Sequence, residues 1–193
     1  MKKFSWIFAL ILALSMAFVF AGCGEEPSNP GTYDGSGPKL IDALVDWMDT
    51  LPGGEVVLTN ADLGVNFAKS GSPTLTKTED GTVTVTDVVN GWDGFTLTTV
   101  LFNSLGVAPP FDLTFKGKMI TPGRLKISQA GENYATVKEM SASAAADAEF
   151  EVTGTVTAAH LLSSNADTPG VRLQNQGSDA ANFEITSVVI TKK

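Results

Sequence analysis

The chain has 193 residues, with 13 Lys and Arg against 21 Asp and Glu, one His, one Cys and a formal net charge of −8 at pH 7. A single Cys cannot close an internal disulfide, one Cys with one His cannot build a Cys/His zinc site, and an acidic chain lacks the basic footprint that a nucleic-acid backbone requires. With 43% hydrophobic and 18% charged residues the composition is that of a folded domain, and the length fits one.

In chain order, Lys2 and Lys3 precede an uncharged run from Phe4 to Ala21, and Gly22-Cys23 follows. A charged start, an apolar core and a small-residue exit make a secretory signal peptide. The run also has the length of a spanning helix, roughly 17–25 residues, and the position of the only cysteine separates the two readings. Phe20-Ala21-Gly22-Cys23 resembles the lipobox of bacterial lipoproteins. That resemblance implies a signal peptide at 1–22, cleaved before a lipidated Cys23. It also implies a membrane contact through the N-terminal lipid only, and a domain outside the cytoplasm in the bacterial cell envelope. Loss of Lys2 and Lys3 makes the mature chain two charges more negative, so anionic headgroups repel its folded part. Residues 23–37, rich in Gly, Pro and Ser with no apolar period, read as a flexible tether.

The domain is expected over 38–193. Pro38 to Leu51 reads as its helical segment: Leu40, Ile41, Leu44, Val45 and Met48 recur at helical spacing, Asp42, Asp46 and Asp49 stand opposite, and Pro52-Gly53-Gly54 ends the run. Trp47 is expected to pack that segment onto the rest. Beyond it the pattern is period two, the mark of strands with one buried face. Val83 and Val85 alternate with threonines, Phe111, Leu113 and Phe115 with polar residues, and Leu125 and Ile127 with Lys126 and Ser128. Phe150, Val152 and Val156 share a parity, as do Val171 and Leu173. The last strand changes phase between Phe183/Ile185 and Val188/Ile190, which one β-bulge near Thr186–Ser187 reconciles. Roughly ten short strands between Gly-containing turns predict an all-β fold, an antiparallel sandwich.

The inventory of reactive groups is thin. His160, the sole histidine, sits among apolar neighbours in Ala158–Leu162, no serine occupies a G-x-S-x-G elbow, and no glycine pattern cradles phosphate. Glu149 and Glu151 share one face of a strand and read as a solvated pair rather than a hydrolytic one. No enzyme and no cofactor are expected.

Three segments carry a resemblance. Gly91-Trp92-Asp93-Gly94-Phe95, then Leu105-Gly106-Val107, then Phe111-Asp112-Leu113-Thr114-Phe115-Lys116-Gly117 resemble the carbohydrate-binding modules of xylanases and β-glucanases. Tyr134-Ala135-Thr136-Val137, Phe150 to Val156, Val171-Arg172-Leu173-Gln174 and Asn182 to Ile190 continue the match in order. The resemblance covers roughly Leu58 to Thr191. It implies a jelly-roll, galactose-binding-domain-like sandwich that binds polysaccharide or oligosaccharide, β-linked plant-type glycans above all, without catalysis. Where that family often has an aspartate helping to hold calcium, this chain has Thr186-Ser187, poorer ligands for a hard cation, so no metal is expected.

The resemblance, with strand parity, nominates Trp92, Tyr134, Arg172, Gln174, Lys116 and Glu184 for sugar binding. Trp92 matches the family's tryptophan, which lines the cleft or caps the core. Tyr134, opposite in parity to Ala135 and Val137, points outward or packs at the sandwich edge. Arg172, Gln174, Lys116 and Glu184 lie on outer parities, where the plain alternative is a solvated face. The competing function is a surface lipoprotein with a structural or protein-interaction role that has lost sugar binding.

Overall fold

A computed structural model describes residues 40–130, 134–162, 169–178 and 180–193. The expected signal peptide 1–22, Cys23 and the tether 23–37 lie outside the described residues.

Chain order is β1 (Leu40–Asp42), α1 (Ala43–Met48), β2 (Val56–Val57), α2 (Asn60–Leu63), β3 (Phe67–Ser70), β4 (Thr74–Lys77), β5 (Val83–Thr86), β6 (Gly94–Thr98), α3 (Thr99–Ser104) and β7 (Phe111–Met119). Then come β8 (Leu125–Ala130), β9 (Thr136–Glu139), β10 (Glu149–Val156), α4 (Ala158–Leu161), β11 (Gly170–Asn175) and β12 (Phe183–Lys192). One sheet runs β10-β7-β12-β5-β4-β2, with β1 also on β12, and the other runs β3-β6-β11-β8-β9. The pairings β5–β12, β6–β11, β7–β10 and β8–β9 are antiparallel and nested first with last. Alternate pairs fall in alternate sheets. This is the winding of a jelly roll, one long ribbon rolled into a sandwich, and it is the fold class the sequence predicts.

Period two explains the core. Phe111, Leu113 and Phe115 of β7 and Phe150, Val152 and Val156 of β10 face Phe95 and Leu97 of β6, Leu125 and Ile127 of β8, and Val171 and Leu173 of β11; all are buried. In β12 the ladder to β7 steps from Ile185↔Gly117 to Ser187↔Lys116, leaving Thr186 as the extra residue. With that one-residue bulge Phe183, Ile185, Val188 and Ile190 all reach the interior and are fully buried.

The N-terminal segment differs from expectation. The helix is limited to Ala43–Met48, and Leu40–Asp42 is a strand. The reason lies in β12: β5 covers only Phe183–Ile185 of one edge, and β1 continues along that edge at Val189–Thr191. Unpaired backbone groups there outweigh the helical periodicity of the apolar side chains. Asp42 then caps the shortened helix, its Oδ1 accepting from Val45 N–H at 3.2 Å. Trp47 packs on Phe67, ring centroids 4.2 Å apart, and on Phe95 at 6.0 Å, as expected of it.

Candidate binding cleft

The central strands of the β3-β6-β11-β8-β9 sheet are buried on both faces: every residue of β6 and of β11 is buried. Val171 and Leu173 face the core, while Arg172 and Gln174 face the other way. That outer face is the floor of a cleft of about 710 Å³, lined by Ser70, Gly71, Gly91, Trp92, Lys126, Tyr134, Arg172, Gln174 and Gly177.

The register explains why residues so far apart in sequence meet. Gln174 stands beside Gly94 on one side and Lys126 on the other, and Arg172 stands between Thr96 and Ser128. Ser70 of β3 pairs with Gly94, so its hydroxyl shares the row with Gln174. Two loop residues form the walls. Trp92, between β5 and β6, is 56% exposed, and Tyr134, just before β9, is 60% exposed.

Hydrogen bonds hold the floor in one arrangement. Arg172 Nε donates to Ser128 Oγ at 3.2 Å and its Nη1 to Ser70 Oγ at 2.5 Å. Ser128 Oγ in turn donates to Gln174 Oε1 at 3.0 Å. Gln174 Nε2 donates to Gly91 O at 3.0 Å, clamping the Trp92 loop to the sheet. The Tyr134 ring covers the guanidinium, with Arg172 Cζ 5.0 Å from its centroid. Burial pushes the pKa of Arg172 below the usual arginine value.

The tryptophan is braced from its other neighbour as well. Asp93 is buried. Its Oδ2 accepts from Val89 N–H at 2.8 Å and Asn90 N–H at 2.9 Å, and its Oδ1 from Ser72 N–H at 3.4 Å. Both residues flanking Trp92 are therefore tied to other parts of the fold, and an exposed indole is presented on a fixed backbone. Preorganisation of this kind lowers the ordering cost of binding.

Of the six nominated residues, four line this cleft and two do not. Arg172 and Gln174 have the outward parity expected of them but are not solvated: only 6% and 4% of their surfaces are exposed, because the Trp92 loop and Tyr134 cover the sheet above them. Trp92 is a wall and not a core cap. Lys116 and Glu184 are on the opposite sheet. Lys116 Nζ pairs with Glu151 Oε2 at 3.2 Å, and Glu184 lies opposite Lys118 in the β12–β7 ladder. Outward parity places them on an outer face, but that of the β10-β7-β12 layer, away from the cleft.

Sequence reasoning missed Ser70, Lys126 and Ser128. The last two carried a signal, since they alternate with the buried Leu125 and Ile127. Ser70 carried none. His160 has a local role: its Nδ1 accepts from Thr157 N–H at 3.1 Å at the start of α4. At the position where the resembled family often has a calcium-holding aspartate, Ser187 Oγ donates to Asp42 Oδ2 at 2.6 Å. Among the described residues no group of three His, Cys, Asp or Glu is arranged to hold a metal.

No family model matches the chain, and no curated protein matches it. Among solved structures it is similar to a xylan-binding domain from CBM 22, at 10% identity and a TM-score of 0.46, over 66% of this chain and 86% of that one. It is also similar to CBM29_1, a family 29 carbohydrate-binding module from Piromyces equi, at 8% identity and 0.45, over 81% and 91%. A third is the CBM22-1 xylan-binding domain of a Paenibacillus barcinonensis protein, at 12% and 0.43, over 74% and 99%. At these scores the jelly roll rests on the sheet order described above and not on the likeness.

Proposed function

We propose that the protein is a non-catalytic module that binds a polysaccharide, a β-linked plant-type glycan, in the Trp92–Tyr134 cleft. The observation that carries this reading is the pairing of two exposed aromatic walls with a buried floor of planar hydrogen-bonding groups. Sugar rings have apolar C–H faces and polar edges. An aromatic face removes the former from water, and guanidinium and amide groups satisfy the latter. Concave sites with a few fixed polar groups are the usual form of small-ligand recognition. The floor is already hydrogen-bonded within the protein, so binding needs little rearrangement.

We further propose that lipidated Cys23 tethers this module to a membrane of the bacterial cell envelope. The lipobox-like Phe20-Ala21-Gly22-Cys23 supports that reading. Among the described residues no helix is long and apolar enough to cross a membrane.

The test is affinity electrophoresis of the purified protein against xylan, mixed-linkage glucan, mannan and pectin, with mass spectrometry of the N-terminal peptide for acyl groups on Cys23. Retardation by at least one glycan is expected. Trp92→Ala and Tyr134→Ala should each weaken it about tenfold or more, as for aromatic anchors at other interfaces, with the melting temperature nearly unchanged because both side chains are exposed. Unretarded migration across the panel would remove glycan binding, variants that bind as the parent does would remove the Trp92–Tyr134 cleft as its site, and an unmodified Cys23 would remove the tether.

A further inference from the structure

We propose that the sugar unit seated over Arg172 is a uronic acid, so that the glycan taken by the cleft carries carboxylates. This rests on the glycan-binding reading and specifies its ligand.

The first ground is charge. The chain has an excess of acids, yet among the described residues no Asp or Glu lines the cleft, whereas Lys126 and Arg172 do. Two described acids close by in the fold have partners of their own. Asp93 accepts from backbone N–H groups of its own loop and of Ser72. Glu139, opposite Lys126 in the β8–β9 ladder, accepts from Gln176 Nε2 at 3.0 Å.

The second ground is the state of Arg172. A buried cation is costly unless an anion or a full set of acceptors compensates it. Among the described residues its partners are two neutral hydroxyls and an aromatic face. They orient the guanidinium without neutralising it. An arginine has five N–H donors; among the described residues Ser128 takes the Nε–H and Ser70 one N–H of Nη1. Arg172 lines the cleft, so the rest of its fork belongs to a side chain at the cleft floor.

The third ground is shape. A guanidinium edge matches a carboxylate through two parallel charge-assisted bonds, about twice as strong as neutral ones. A neutral hydroxyl fills one donor and leaves the buried charge uncompensated. Lys126, on the adjacent strand, adds a second positive charge to the same floor.

The experiment measures calorimetric binding of the purified protein to polygalacturonate and to glucuronoxylan, each beside its carboxyl-reduced form, with mixed-linkage glucan and mannan as neutral references. The expected result is that at least one uronate glycan binds about tenfold or more tightly than its reduced form, with the gap narrowing in high salt. Whether polygalacturonate or glucuronoxylan does so tells a main-chain uronate from a branch. Arg172 is buried, so its removal risks misfolding; Lys126→Gln, half-buried at the floor's edge, is the safer variant and should cut the acidic-to-reduced affinity ratio several-fold. Equal affinity for acidic and reduced forms, or preference for a neutral glycan, overturns the uronate and leaves glycan binding standing. Failure of every glycan, acidic and neutral, overturns both.

Discussion

Gly71 sets the position of the cleft's tryptophan from a distance. It leaves β3 with φ +75°, and a Cβ there would stand 1.8 Å from Asp93 Oδ1 and 3.2 Å from Trp92 Cδ1. Any side chain would both strain the backbone and displace the carboxylate that gathers Val89, Asn90 and Ser72 N–H groups. Gly71→Ala is therefore expected to cost about 1–3 kcal/mol of stability and to weaken glycan binding, because the Trp92 loop loses its brace. Gly53→Ala is the control: its Cβ meets nothing within 4 Å and its φ is not in the left-handed range, so it should shift stability by less than about 1 kcal/mol. Urea titration of both variants, followed by glycan binding, checks the pair. Equal stabilities would mean that the Asp93 loop absorbs the displacement.

Legibility of the site follows from what parity can and cannot carry. Alternation with Val171 and Leu173 reveals that Arg172 and Gln174 turn away from the core. It says nothing of what covers that face, and the cover comes from Trp92 and Tyr134, set beside them by sheet closure. Parity is equally silent on which sheet a strand joins, which is why Lys116 and Glu184 share the outward pattern yet belong to the opposite layer. Ser70 sits in Phe67-Ala68-Lys69-Ser70, a strand too short for its alternation to mark a face. Its partnership with Arg172 spans 102 positions of sequence.

At the scale of elements, β12 is the strand on which the fold turns, pairing with β7, β5 and β1. Its phase change was readable because four large apolar residues fall on two parities, and only an inserted residue brings both pairs inward. The short N-terminal helix was less readable. Apolar spacing over Leu40–Met48 fits a helix, but the edge of β12 claims Leu40–Asp42, a pairing partner some 150 residues away that no local period reports. Deleting Thr186 tests the strand directly. Without the bulge either Phe183 and Ile185 or Val188 and Ile190 must face outward, and each such side chain contributes roughly 1.5–3 kcal/mol when buried. Two of them amount to a large part of the roughly 5–15 kcal/mol that holds a typical domain together. The deletion variant should lose its cooperative unfolding transition and its near-ultraviolet dichroism. A variant that unfolds as sharply as the parent, at a similar denaturant concentration, would show that β12 tolerates a slip in register.

Across the whole molecule, two electrostatic effects oppose each other as pH falls. At pH 7 the chain carries −8, and mutual repulsion of its carboxylates eases as the pH approaches the isoelectric point of about 4.5. In the other direction, individual carboxylates are stabilised as anions in the fold. The Thr78 hydroxyl, followed by the Thr82 N–H and hydroxyl, holds Asp80 below the usual 3.8. The Thr155 hydroxyl, followed by Lys193, does the same for Asp112. With the folded pKa the lower one, the unfolded chain takes up protons first. The contribution is therefore complete above 3.8 and is lost as the pH drops below that value and through the folded pKa. Together the effects set the highest melting temperature near the isoelectric point: a gentle rise from about pH 8 to about pH 5, then a fall below about pH 4. Added salt screens the repulsion and should raise the melting temperature more at pH 7 than at pH 5. Asp80→Asn and Asp112→Asn, which cannot ionise, should each flatten the acid limb and leave the alkaline one in place. Thermal scans across this range decide it: a melting temperature that declines steadily from pH 8 would rank the local carboxylate contacts above the net repulsion, against this account.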